Sequence, residues 1–145
     1  MKVFILEDTA IMHVSLQSLL SCIPDVTVVG RAEDKLQAIE SIDALLPDVV
    51  ILDIGLQPGS RFDVMENIKK RHAGIKVMVL TNRADEYFIN RCRRAGADYF
   101  FDKSFQFMQI RTVFLEWAHT SRFDNKPDAI HGPLGFEDGA FNCQF

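Results

Sequence analysis

Short apolar runs alternate along this chain with segments whose apolar residues recur every three or four positions. The runs are Val3-Phe4-Ile5-Leu6, Val26-Thr27-Val28-Val29, Val49-Val50-Ile51-Leu52, Val77-Met78-Val79-Leu80 and Tyr99-Phe100-Phe101. Continuous apolarity, rather than alternation, marks strands buried on both faces, as in a parallel sheet. Between them, Met12, Leu16, Leu19, Leu20 and Ile23 form one helical stripe, and Ala38, Ile39, Ile42, Leu45 and Leu46 a second that stops at Pro47. Phe62, Met65 and Ile68 predict a third, weaker helix, after a Pro58-Gly59 turn. Phe88, Cys92 and Ala95 predict a fourth, closed by Gly96 in a left-handed cap. Ile110, Val113, Phe114 and Trp117 predict a strong fifth.

Five strand–helix pairs need right-handed crossovers, so the expected class is α/β: a doubly wound, five-stranded parallel sheet with helices on both faces. The pattern stops near Phe123, which divides the chain into one domain over residues 1–122 and a turn-rich tail over 123–145 without an output domain. Phe123, Phe136, Phe141 and Phe145 in that tail are expected to pack on the domain, a second copy or a target rather than to stay solvated.

With 145 residues, 48% of them hydrophobic, the chain can bury a full core without a disulfide or metal staple. A net charge of −4 argues against a strongly basic nucleic-acid binder. The longest nearly apolar run, Val49 to Leu56, is far short of a membrane span and is broken by Asp53. The start, Met1-Lys2-Val3-Phe4-Ile5-Leu6-Glu7-Asp8, is too short and acidic for a signal peptide. Cys22, Cys92 and Cys143 form no disulfide or metal framework, and Cys22 and Cys92 fall among helical apolar positions as small core residues. His13, His72, His119 and His131 are scattered and read as surface residues. A cytoplasmic, soluble protein is expected, with no membrane or nucleic-acid partner.

The chemistry lies at the strand ends. Glu7-Asp8 ends the first strand, Asp53 the third and Thr81 the fourth, while Lys103 lies two residues past the fifth. In a parallel sheet these carboxyl ends share one edge, where ligands bind. Each residue alone is ordinarily a turn former, a cap or a solvated lysine. Together they place three carboxylates, a hydroxyl and an ammonium at one site. Close carboxylates repel one another, and an all-oxygen set suits Mg²⁺ or Mn²⁺. Asp53 could then act as a nucleophile toward a phosphoryl group, with Lys103 and Thr81 contacting its oxygens.

Over residues 1 to about 122 the chain resembles the receiver domain of two-component response regulators. The resemblance rests on Glu7-Asp8, on Pro47-Asp48-Val49-Val50-Ile51-Leu52-Asp53-Ile54, on Leu80-Thr81 and on Ala95-Gly96-Ala97-Asp98-Tyr99-Phe100-Phe101-Asp102-Lys103. It implies the flavodoxin-like strand order 2-1-3-4-5. It also implies a role for each site residue. Asp53 is the phosphoacceptor, serving a histidine kinase or a histidine phosphotransfer protein. Asp8 is a direct Mg²⁺ ligand, Glu7 acts through water, and Asp53 and the Gly55 carbonyl complete the metal set. Thr81 and Lys103 sense the phosphoryl group, and Phe100 is the switch aromatic coupled to Thr81.

Three positions depart from the family pattern. Ser104 stands where the family has proline after a cis bond, so a trans Lys103-Ser104 peptide is expected. Asn82 follows Thr81 where a smaller residue is common and would narrow phosphoryl access. Gly55 leaves the approach to the acyl phosphate open.

The resulting expectation is a stand-alone, phosphorylation-dependent switch, not an enzyme beyond its own phosphotransfer and dephosphorylation. It would signal by protein contact, with a homodimer as one form. The expected output face joins helix four, strand five and helix five, where Arg83, Arg91, Arg93 and Arg94 would meet an acidic partner. Tyr87 and Ile89, if exposed beside them, would favour such docking. The alternatives are a phosphate-independent adaptor that uses the fold only for binding and, last, a small-molecule phosphohydrolase. The latter lacks a second carboxylate two residues after Asp53.

Overall fold

The structure is a computed structural model, and it describes residues 1–54, 58–82, 85–103 and 108–123. Strands and helices alternate: β1 (Lys2–Leu6), α1 (Ala10–Ser21), β2 (Thr27–Ala32), α2 (Lys35–Leu45), β3 (Val49–Asp53), α3 (Pro58–Arg71), β4 (Lys76–Thr81), α4 (Glu86–Ala95), β5 (Tyr99–Asp102) and α5 (Gln109–Phe123). The strands form one parallel sheet in the order β2-β1-β3-β4-β5. The expected fold class and strand order are both present.

Successive side chains of a strand point to opposite faces, which splits the apolar runs between two cores. Phe4, Leu6, Val50, Leu52, Val77, Val79 and Phe100 pack with α2, α3 and α4 through Ala38, Ile42, Phe62, Met65, Phe88 and Cys92. Val3, Ile5, Val49, Ile51, Met78, Leu80, Tyr99 and Phe101 pack with α1 and α5 through Leu16, Leu20, Ile110, Val113, Phe114 and Trp117. Among the described residues, three helices begin on a side-chain cap: Thr9 accepts from the Met12 amide, Asp34 from Gln37 and Asp85 from Phe88. Gly96 closes α4 in the left-handed region at φ 110°, as its position predicts.

Several local expectations are corrected. β2 runs on to Ala32 because its pairing with β1 continues after the apolar run ends, and it is an edge strand, exposed at Thr27, half-buried from Val28 to Arg31 and buried at Ala32. Gly30 lies in that extension, where an added Cβ would press on the ring of Phe4 at 3.0 Å. Leu45 and Leu46 leave the α2 stripe and are exposed. Leu46 is the cap, with φ 48°, so it no longer follows the helical periodicity that placed it on the stripe. α3 starts at Pro58, a residue suited to a first helical turn, so Pro58 and Gly59 belong to the helix rather than to a turn before it. Cys92 is buried as expected, and burial pushes its thiol up to about 12. Cys22 is exposed at the α1 cap, off the stripe that Leu16, Leu20 and Ile23 bury. His72 is half-buried rather than free on the surface, with Nε2 2.7 Å from Asp43. His13 is half-buried as well.

The structures expected for residues 124–145, the Gly55 carbonyl, the Lys103-Ser104 peptide and Arg83 lie outside the described residues. So do the side chains of Phe123 and His119.

Candidate functional site

The carboxyl ends of β1, β3, β4 and β5 place the expected residues on one edge. Glu7 follows β1, Asp53 ends β3 and Thr81 ends β4. β5 runs one residue further than expected, so Lys103 follows it directly. The Lys103 amide donates to the Thr81 carbonyl at 2.9 Å and fixes the lysine at the mouth of the sheet. Its Nζ lies 2.7 Å from Oδ2 of Asp53. Glu7, Asp53 and Thr81 are all buried.

Glu7 and Asp53 face the same space. Thr9 donates both its amide, at 2.9 Å, and its hydroxyl, at 3.3 Å, to Oε1 of Glu7. Burial and the neighbouring Asp53 carboxylate push the Glu7 carboxyl up to about 7. Oε2 of Glu7 and Oδ1 of Asp53 are buried with no hydrogen-bond partner. Two such acceptors on neighbouring carboxyl groups call for something positive between them, either a proton on Glu7 or a cation.

Asp8 breaks the expected gathering of three carboxylates. Its carboxylate is half-exposed and pairs with Nη2 of Arg61, whose side chain is only 3% exposed. Among the described residues no three potential ligands are grouped as a ready metal cage. Arg61 also donates from Nε to the main-chain oxygen of Asp53 at 3.2 Å and from Nη2 to that of Glu33 at 3.5 Å. Sequence reasoning missed Arg61. Its only signal was a basic residue one place before the apolar anchor Phe62, at a position that the turn reading kept outside the helix.

Phe100 is fully buried in β5 and meets Phe88 edge to face, with centroids 6.3 Å apart. Asn82 is exposed immediately after Thr81. On α4, Tyr87, Arg91, Arg93 and Arg94 are exposed, whereas Ile89 is buried. Burial of Ile89 narrows the expected apolar part of that face to Tyr87. The Arg91 guanidinium lies 4.4 Å from the Phe62 ring centroid, which ties α4 to α3. Among the described residues no helix is long and apolar enough to cross a membrane.

Residues 3–114 match the response regulator receiver domain family. The chain is 36% identical over 96 residues to the uncharacterized transcriptional regulatory protein YvfU of Bacillus subtilis, covering 66% of this chain and 48% of that protein. It is 28% identical over 129 residues to the DNA-binding transcriptional activator DevR/DosR of Mycobacterium tuberculosis, covering 88% and 59%. The chain thus spans about half the length of these curated relatives. Among solved structures it is similar to the response regulator domain of Thermotoga maritima CheB, with a TM-score of 0.69 and 28% identity over 83% of this chain and 94% of that one. The receiver domain of the putative response regulator NarL from Mycobacterium tuberculosis gives a TM-score of 0.72 and 26% identity over 81% and 95%.

Proposed function

This chain belongs to the response regulator receiver family, and from that premise we propose that it is a phosphorylation-dependent switch that accepts a phosphoryl group on Asp53 from a histidine kinase or a histidine phosphotransfer protein. The observation that carries this reading is the state of the Asp53 carboxylate. Lys103 holds Oδ2, while Oδ1 is buried and unpartnered beside Glu7. One oxygen is oriented and the other is left to react.

In the transfer, a carboxylate oxygen of Asp53 attacks phosphorus as the P–N bond of a phosphohistidine breaks. The imidazole nitrogen leaves with the bonding pair and takes up a proton from solvent. Little covalent chemistry is asked of the protein, so positioning and charge dominate. Lys103 supplies a fixed ammonium for a phosphoryl oxygen, and the Thr81 hydroxyl at the end of β4 supplies a hydrogen bond to another. A divalent cation, Mg²⁺ or Mn²⁺, would be held by Asp8, Asp53 and the Gly55 carbonyl, with Glu7 acting through water. When bound, it neutralises charge on the carboxylates and the incoming group. The donor set fits such an ion, because it is all oxygen and Oε2 of Glu7 and Oδ1 of Asp53 are buried with no hydrogen-bond partner. Phe100 and Thr81 form the link from the site to the surface. Output passes by protein contact through the face of α4, β5 and α5, where exposed Arg91 and Arg94 suit an acidic partner or a second copy.

Intact-mass measurement after incubation with Mg²⁺ and acetyl phosphate tests the reading. Wild type is expected to gain one phosphoryl group and Asp53→Asn none. Equal labelling of the two proteins would overturn it.

A further inference from the structure

We propose that Arg61 is a built-in cation that holds Asp8 away from the acidic pocket, so that a divalent cation must displace the guanidinium to bind and Arg61 thereby sets the metal affinity of the site. The proposal rests on the reading that Glu7, Asp8 and Asp53 form a metal site.

Arg61 lies in the first turn of α3 and is 2% exposed. A buried guanidinium keeps its charge at any working pH, so it must be matched by partners rather than by loss of a proton. It has three here. Nη2 pairs with Asp8, Nε donates to the Asp53 carbonyl and Nη2 reaches the Glu33 carbonyl. The guanidinium therefore bridges the loop after β1 to the end of β3, where a metal would also have to connect them. Asp8 has Arg61 and Oδ2 of Asp53 has Lys103, whereas Oε2 of Glu7 and Oδ1 of Asp53 are buried without a hydrogen-bond partner. The unsatisfied part of the site is the space between Glu7 and Asp53.

A metal drawn to that space gains Asp8 only if the Asp8–Arg61 pair opens. Two ligands competing for one carboxylate weaken each other by the same factor. Here the competing ligand is part of the chain, so its effect appears as a lowered metal affinity. The arginine would also brace the carboxylates against mutual repulsion in the metal-free protein.

Mn²⁺ titration followed by the electron paramagnetic resonance of the free ion tests this on wild type, Arg61→Met and Arg61→Lys. Arg61→Met keeps the apolar stem and removes the charge. It is expected to bind Mn²⁺ at least tenfold more tightly than wild type, with Arg61→Lys staying within about threefold of wild type. Equal or weaker binding by a folded Arg61→Met protein would overturn the proposal while leaving the metal site in place. No Mn²⁺ binding by wild type and Arg61→Met alike would overturn the metal site itself and this inference with it. The wild-type protein supplies a check that does not depend on a variant folding. The Arg61 side-chain Nε–H resonance is expected to shift as Mg²⁺ saturates the protein. A resonance unmoved at saturation would overturn displacement.

Discussion

Lys103 Nζ sits 2.7 Å from Oδ2 of Asp53, across 50 residues of sequence. The contact joins the ends of β3 and β5, which are separated in the sheet by β4. Both groups are largely buried, so each relies on the other for the solvation it has lost. Replacing Lys103 with methionine removes the ammonium and keeps the stem. The expected loss is about 2–3 kcal/mol of unfolding free energy at pH 8 in urea titrations, near the lower end for a broken buried pair because the lysine retains some solvent contact. A loss below about 0.5 kcal/mol would show that the pair carries no structural weight.

The raised Glu7 carboxyl makes stability depend on pH with a definite sign. Its value is 4.5 in ordinary surroundings and about 7 here. Between those limits the folded chain binds more protons than the unfolded chain, so stability falls as pH rises through the window. The favourable contribution is full below pH 4.5 and is lost above about 7. In EDTA, Glu7→Gln mimics the protonated acid permanently. It is expected to melt close to wild type at pH 5 and about 3 °C or more above it at pH 8. A difference in Tm that does not change between the two pH values would contradict this assignment.

Gly96 and Gly59 should respond oppositely to alanine. At Gly96 the backbone is left-handed, and a Cβ would collide with Cγ of Lys69. Lys69 in turn holds the Asp98 carboxylate at 2.7 Å and the Ile75 carbonyl at 2.8 Å, so it cannot yield without loss. Gly96→Ala is expected to cost about 2 kcal/mol in thermal or urea unfolding. Gly59 lies in α3 with nothing near a new Cβ, so Gly59→Ala is expected to be neutral or to stabilise by up to about 1 kcal/mol. Equal effects at the two sites would contradict both descriptions.

The sheet was legible because β1, β3, β4 and β5 are buried on both faces and read as unbroken apolar runs. The strand-end placement of Glu7, Asp53, Thr81 and Lys103 followed directly. β2 was half-read, since at the edge of a sheet backbone pairing does not need apolar side chains, and Gly30-Arg31 hid its continuation. Leu46 counted as core until the left-handed cap turned it outward. Arg61 was legible only as a basic residue before Phe62. Its role arises only when α3 begins at Pro58 and brings a long side chain back to the carboxyl ends of β1 and β3, a tertiary event without a local pattern. The partner that Asp8 takes was not legible for the same reason, because the cation on its carboxylate is Arg61.

The central claim is that Asp53 becomes an acyl phosphate. Its most direct test is borohydride trapping of protein treated with Mg²⁺ and acetyl phosphate, followed by peptide mass mapping. An aspartyl phosphate is reduced to homoserine, whereas an unmodified aspartate is not. The expected result is homoserine at residue 53 and at no other aspartate, and only in the phosphodonor-treated sample. Homoserine at Asp8 or another position, or labelled protein with an unreduced Asp53, would contradict the account.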